Sequence, residues 1–180
     1  MAAERRWRYG RIASIWSTAL LAAVPVVLAA ATLVQAGSDE GVDGRWLMVT
    51  LFGSLATGVV GYILMGGVAA PSSRLGLADP APAAAAEATA DDWRRWQMIC
   101  LAITLGGSVA MYLFLIAILG RGGLVEAAVA GVIAAVGLAT RRDAIRIAGI
   151  EEDEGRRYYS VGPSPTGAAR RLVWSAGAGR

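Results

Sequence analysis

Residues 12–36, IASIWSTALLAAVPVVLAAATLVQA, decide the fold, because they form an unbroken run of 25 residues without a charged side chain. A helix of that length is about 37 Å long, which exceeds the ~30 Å hydrocarbon core of a bilayer. Two further uncharged runs of similar length follow at 46–70 and 96–120. Each run is long enough to cross a bilayer with some tilt.

A fourth apolar run, at 124–140, is shorter and contains Glu126. It covers only about 25 Å as a helix, so we expect it to span if Arg121 and Arg141 snorkel at its ends. Lipid offers no partners to the backbone, and the runs lack the alternation of barrel strands. The sequence therefore predicts an all-α polytopic membrane protein with about four transmembrane helices, arranged as two hairpins.

The arginines predict the orientation of these helices. If four helices span, 15 of the 17 arginines fall on one side, and only Arg45 and Arg121 fall on the other. The positive-inside bias makes the arginine-rich side cytoplasmic, with both termini inside. Tryptophans near the predicted interfaces fit an aromatic belt: Trp7, Trp16, Trp46, Trp93 and Trp96.

The chain divides accordingly into five segments. They are a basic cytoplasmic N-terminus (1–11), a first transmembrane hairpin (12–70), an Ala/Pro-rich cytoplasmic linker (71–92), a second hairpin (93–140) and a basic cytoplasmic tail (141–180). Asp91 or Asp92 is expected to cap the third helix. The tail is expected to begin with a helical extension over 141–154 and to be disordered over 160–167, which holds two prolines and two glycines.

A competing interpretation makes the first run a cleaved signal peptide. It begins after an arginine-rich start, and Val34-Gln35-Ala36 before Gly37 resembles a small-residue cleavage site. The run is, however, longer than the roughly 7–15 residues of a signal-peptide core. Four retained helices are therefore the favoured expectation.

Composition removes several kinds of chemistry. There is no His, one Cys (Cys100), and every basic residue is Arg. The lack of His excludes His-ligated haem, His-based zinc sites and His general bases, and we expect no catalytic, cofactor or metal site. Arginine in place of lysine indicates a GC-rich bacterial genome. The arginines flank apolar runs, so nucleic acid is not an expected partner.

Small and hydroxyl-bearing residues recur on single helix faces within the runs, which predicts close helix packing. The candidates are Ser54, Thr57, Gly58 and Gly61 in the second run, Thr104 and Ser108 in the third, and Gly131 and Ala135 in the fourth. The alternative is that these polar stripes line a pathway for a small solute. Packing is favoured, because an ion path usually needs buried charge.

Glu126 is the exception, since an acidic residue inside a span is a candidate for function by default. It lies in the first turn of the fourth predicted helix, where a carboxylate suits the helix dipole. Pairing with Arg121 at headgroup depth is the favoured structural interpretation.

These features predict a non-catalytic accessory, assembly or scaffold subunit of a bacterial cytoplasmic membrane, whose small-residue faces pack on helices of partner membrane proteins. Its basic tail would contact anionic lipid or an acidic partner. The alternative is an oligomeric small-solute transporter or holin-like pore. An intramembrane enzyme is the least favoured class, because only Glu126, Asp91, Asp92 and scattered arginines could contribute to a reaction.

Overall fold

Four long helices dominate the protein. The computed structural model describes residues 4–66, 75–80, 85–120, 123–162, 165 and 171–176. The helices are α1 (Tyr9–Ala36), α2 (Gly44–Gly66), α3 (Ala90–Leu119) and α4 (Leu124–Glu154). Each is long and apolar enough to cross a bilayer. The chain is thus a multi-pass membrane protein, as the sequence predicted, and α4 includes the expected extension over 141–154.

Local signals explain where the helices begin and end. The Asp43 carboxylate accepts a hydrogen bond of 2.6 Å from the backbone N–H of Trp46, and so caps the start of α2. At the other ends of helices, Gly120 follows α3 and Gly155 follows α4, with φ of 81° and 60°. Glycine adopts this left-handed conformation without strain, so both positions terminate their helices.

The cap of α3 differs from the expectation. Thr89 occupies the capping position, and Asp92 is its partner in a reciprocal capping box. The Asp92 N–H donates to Thr89 Oγ1 (3.3 Å), and the Thr89 N–H donates to Asp92 Oδ2 (2.9 Å). Asp92 also forms an ion pair with Arg5. Asp92 thus takes part in the cap, but the capping position itself is Thr89, whose hydroxyl accepts from the N–H of Asp92.

The structure divides into two compact units. Unit 1 comprises Met1–Ile15, Ala69–Gln97 and Thr140–Arg180, and unit 2 comprises Trp16–Val68 and Met98–Ala139. Unit 2 contains most of the apolar length of the four helices. Unit 1 gathers the three arginine-rich segments of the sequence.

Unit 1 contains a five-stranded sheet that the sequence analysis did not predict. Its strands are β1 (Arg5–Arg8), β2 (Asp79–Pro80), β3 (Ala86–Glu87), β4 (Arg156–Gly162) and β5 (Arg171–Ala176), in the spatial order β2-β5-β4-β1-β3. β4 is antiparallel to β5 and β1, whereas the two edge strands are parallel to their neighbours. The expected disorder over 160–167 is corrected in part, since 160–162 belong to β4 and Pro165 is buried. Residues 163–164 and 166–167 lie outside the described residues.

Alternation along β4 and β5 gives the sheet two apolar faces. On one face, Tyr159 and Val161 pack with Val173 and Ala85. On the other, Tyr158 packs with Ile147 of α4. The second cluster also includes Leu75, Tyr9, Ala13, Ala78, Ile150, Leu172 and Trp174. Since both faces are covered, the tail folds as part of a core and not as a solvated segment.

Trp7 of β1 contacts two other segments of unit 1. Its indole N–H donates to the carbonyl of Gly162 (3.2 Å), and its ring meets Trp93 edge-to-face at 5.2 Å. The Arg11 guanidinium lies 4.6 Å from the Trp93 ring centre. Both tryptophans are only 5% exposed. They therefore bury their rings against each other, where the sequence had suggested interfacial anchors.

Tyr158 should make the stability of unit 1 sensitive to alkaline pH. Burial raises the pKa of Tyr158, and its hydrogen bond to Glu154 (2.5 Å) raises the pKa further. The unfolded chain releases this proton at about pH 10, whereas the folded chain still holds it. Stability should consequently fall as pH rises beyond about 10.

Tyr158→Phe tests this link by thermal unfolding in detergent across neutral to alkaline pH. We expect the variant to lose about 0.5–1.5 kcal/mol at neutral pH and to decline less steeply than the wild type above pH 10. Tyr62→Phe, on α2, is the matched control and should keep the wild-type decline. Parallel alkaline declines in Tyr158→Phe and the wild type would contradict the assignment.

Candidate functional site

The small-residue faces of α2 and α4 pack directly against each other in unit 2. Gly53 lies opposite Ala127, where a Cβ added to the glycine would be 2.7 Å from the alanine Cβ. One turn further along both helices, a Cβ on Gly131 would be 2.6 Å from the Cβ of Thr57. Because the contacts advance together along the chain, α2 and α4 run parallel.

The contact continues to a third level with the same four-residue step. Beyond Gly131, a Cβ on Gly61 would lie 2.9 Å from the Cβ of Ala135. Gly58 is buried, and its backbone N would be 2.9 Å from a Cβ on Gly131. Such spacing is the small-xxx-small pattern that lets membrane helices approach closely.

The sequence candidates on these helices therefore meet one another inside the chain. Thr57, Gly58 and Gly61 on α2 face Gly131 and Ala135 on α4. The Ser54 hydroxyl donates back to the carbonyl of Thr50 (2.6 Å), and the Ser54 carbonyl lies at the same contact. Sequence analysis missed Gly53 and Gly123, although the same four-residue step extends to both.

A second close approach joins α1 to α4. A Cβ on Gly137 would be 3.0 Å from Leu21, and the Ser17 hydroxyl donates to the Gly137 carbonyl (3.1 Å). All four helices contribute residues to a common hydrophobic core. Its members are Ala23, Val27, Ala31, Trp46, Tyr112, Val129 and Ile133. Since α1 supplies three of them, the first helix is an integral part of the unit 2 core.

The polar stripe of α3 faces inward. Thr104 and Ser108 are buried, as are Cys100 and Tyr112 on the same face. The Thr104 hydroxyl has no hydrogen-bond partner among the described residues. The predicted polar stripe of α3 thus faces the interior of the bundle. This position is compatible both with helix packing and with a path for a small solute.

Glu126 is enclosed by protein. Its side chain is 1% exposed, and Oε2 has no hydrogen-bond partner among the described residues. Arg121, its expected ion-pair partner, lies outside the described residues. Trp46 and Thr50 are also buried, each with a side-chain polar atom that finds no partner in the described part of the chain.

These side chains do not form a recognisable catalytic set. Within the described residues, no group of three or more Cys, Asp or Glu side chains converges as a metal site would require. No protein-family model matches this chain, and no curated protein or solved structure is significantly similar to it. The site must accordingly be interpreted from its own residues.

Gly131→Ala tests the contact between α2 and α4. The added methyl group would meet Thr57, the Ser54 carbonyl and the Gly58 backbone within 2.9 Å. Overpacking of this kind costs roughly 1–3 kcal/mol. We expect the loss to appear as a lower unfolding temperature in detergent micelles.

The matched control is Gly149→Ala on the same helix, where an added Cβ meets nothing within 4 Å. Alanine is the better helix former, so this variant should gain up to about 1 kcal/mol or remain unchanged. Equal stability of the two variants would show that α2 and α4 are not in close contact.

Proposed function

We propose that this protein is a non-catalytic accessory, assembly or scaffold subunit of a bacterial cytoplasmic membrane. The observation that carries the proposal is the closure of the α2 and α4 small-residue faces on each other. That contact leaves large apolar side chains pointing outward from α2, among them Phe52, Leu55 and Ile63. A rigid bundle of this kind presents fixed surfaces to other helices.

The face offered to a partner helix is on α3. Ala102, Gly106 and Ala110 are exposed and follow one another at four-residue steps. A Cβ on Gly106 would meet nothing within 4 Å. This is a small-residue face of the type used between membrane helices, and it replaces the α2 and α4 faces as the proposed partner contact.

Unit 1 supplies the second proposed contact. It holds 15 of the 17 arginines and 10 of the 14 acidic residues, a formal net charge of +5. Three exposed arginines lie in the second half of α4: Arg141, Arg142 and Arg146. Such a positive unit would attract anionic lipid headgroups or an acidic partner.

The sheet supports an arrangement of four spans with both termini in the cytoplasm. β1 precedes α1, β3 precedes α3 and β4 follows α4, yet β1 is hydrogen-bonded to both β3 and β4. A sheet cannot form across a bilayer, so these pairings support an even number of spans between the strands. The arginine bias then assigns this side to the cytoplasm.

Cysteine labelling tests the orientation. In a Cys100→Ser background, we expect Glu40→Cys, in the loop between α1 and α2, to react with a membrane-impermeant maleimide added to intact cells. Glu152→Cys, at the end of α4, should react only after the membrane is permeabilised. Both side chains are exposed in the structure, so a difference reports sidedness. The reverse pattern would contradict cytoplasmic termini.

Gly106→Leu tests the partner contact on α3. A bulky side chain in a helix contact costs roughly 1–3 kcal/mol, so association should weaken about tenfold or more. The measurement is recovery of co-purifying membrane protein in mild detergent, quantified by mass spectrometry. Ala56→Leu adds the same side chain at an exposed position of α2 and should retain the partner.

Equal recovery of the partner by both variants would show that α3 is not the contact.

A homo-oligomer without other proteins that carries solutes across liposome membranes would instead favour the second candidate, an oligomeric transporter or pore. The inward-facing hydroxyls of Thr104 and Ser108 are the observation that favours this candidate. They provide polar groups along α3 that a solute path would need.

A further inference from the structure

The arginines of unit 1 fall into two groups that differ in their ion pairs. Four arginines of the strands are paired with carboxylates: Arg5 with Asp92, Arg8 with Glu151, Arg156 with Glu154 and Arg171 with Glu4. Six others, the helix arginines, are all exposed: Arg11, Arg94, Arg95, Arg141, Arg142 and Arg146. None of the helix arginines has an acidic partner within the described part of the chain.

The helix arginines belong to turns that contact one another. On α1, the Arg11 guanidinium lies over the ring of Trp93 on α3, 4.6 Å from its centre. A Cβ on Gly10 of α1 would be 3.4 Å from Cγ2 of Ile147 on α4. Each of these contact residues has a helix arginine as its neighbour in the sequence or is one. The start of α1 therefore brings the arginine-bearing turns of all three helices together.

These turns lie at the ends of the apolar runs. The runs begin or end directly beside a helix arginine: Arg11 precedes 12–36, Arg95 precedes 96–120 and Arg141 follows 124–140. An arginine at the end of a spanning run reaches the depth of the lipid phosphates. Contact between the three turns supports a position in the same leaflet.

The charge around these turns is positive. Along their own helices, the acids within four residues of a helix arginine are Asp91, Asp92 and Asp143. Asp92 is paired with Arg5, and Asp143 is only 5% exposed. Six arginines therefore outnumber three carboxylates, and the surplus of positive charge attracts an anion.

An exposed apolar side chain lies among the arginines of α4. Ile145 is 65% exposed, and it shares a helix face with Arg142 and Arg146 because the three occupy positions i, i+3 and i+4. Among the described residues of unit 1, the only other large apolar side chain that is exposed is Leu77. An isoleucine between arginines gains free energy by contact with lipid, whereas a soluble phosphate or an acidic protein surface offers it little.

We propose that the helix arginines bind the headgroup of an anionic phospholipid, with Ile145 against its glycerol backbone and upper acyl chains. A phosphate accepts paired hydrogen bonds from guanidinium groups, and a guanidinium stacked on an aromatic ring, as Arg11 is on Trp93, keeps its N–H edge available. The inference rests on the proposed attraction of unit 1 for anionic lipid or an acidic partner, and it assigns that attraction to lipid and to the helices. The strand arginines that are paired with carboxylates are not part of the site.

Native mass spectrometry of the full chain in detergent micelles tests this site. Phosphatidylglycerol and, separately, phosphatidylcholine are titrated into the wild type and into two double variants. Arg142→Gln/Arg146→Gln alters α4, whereas Arg157→Gln/Arg171→Gln alters β4 and β5. The strand variant is the matched control, because it removes the same charge from two exposed arginines of unit 1. Thermal unfolding checks that both variants are folded.

We expect the wild type to retain phosphatidylglycerol in preference to phosphatidylcholine. An arginine close to an anionic headgroup contributes about fivefold to the affinity. The α4 variant should therefore bind phosphatidylglycerol about tenfold more weakly or worse, while the affinity of the strand variant should change by less than about twofold.

Equal losses in the two variants would overturn the proposal, since retention would then depend on net charge alone. Displacement of phosphatidylglycerol by an equal concentration of glycerol 3-phosphate would identify a site for a soluble phosphate instead. Loss of a co-purifying acidic protein from the α4 variant, with lipid retention unchanged, would assign these arginines to a protein contact. Recovery of the membrane partner by Gly106→Leu is measured independently, so failure of the lipid site and failure of the scaffold proposal are distinguishable.

Discussion

The backbones of α2 and α4 approach so closely at Gly131 that the spacing leaves no room for a Cβ. In lipid, apolar side chains gain little by leaving the solvent for a neighbouring helix, so association depends on close contact. The small residues on facing turns of α2 and α4 allow that contact. The large side chains of α2 then lie on its other faces, among them Phe52, Leu55 and Ile63, which are exposed.

Unit 1 follows a different constraint, which is the pairing of backbone groups across distant segments. Only β4 and β5 are long, and they form the centre of the sheet. The edge strands β2 and β3 have two residues each. Short edge strands limit the unpaired backbone that a sheet presents to other chains. The short edges therefore protect this arginine-rich sheet from pairing with strands of other proteins.

Hydropathy predicted the four helices because each apolar run is continuous, and α1 begins at Tyr9, only three residues before the run at Ile12. The sheet was not predicted, because its strands are short and because β1 pairs with β3 and β4, which lie far from it in the sequence. The aromatic and β-branched residues Tyr158, Tyr159 and Val161, which follow Gly155, were the available signal. The small-residue faces were visible as four-residue repeats, but a repeat does not identify its partner. For Glu126, the sequence predicts the helical turn, whereas its burial depends on tertiary packing that a single sequence does not specify.

Trp7 of β1 bonds to Gly162 of β4 across 155 residues of sequence. A ribosome needs on the order of ten seconds to synthesise that length. During this time the first strand has no antiparallel neighbour, while all four helices are synthesised. In the proposed arrangement of four spans, the sheet can close only when both hairpins have inserted in the same direction, because an inverted hairpin would leave its strand on the opposite side of the membrane. In that arrangement, the pairing of β1 with β4 would form only after all four helices had been inserted correctly.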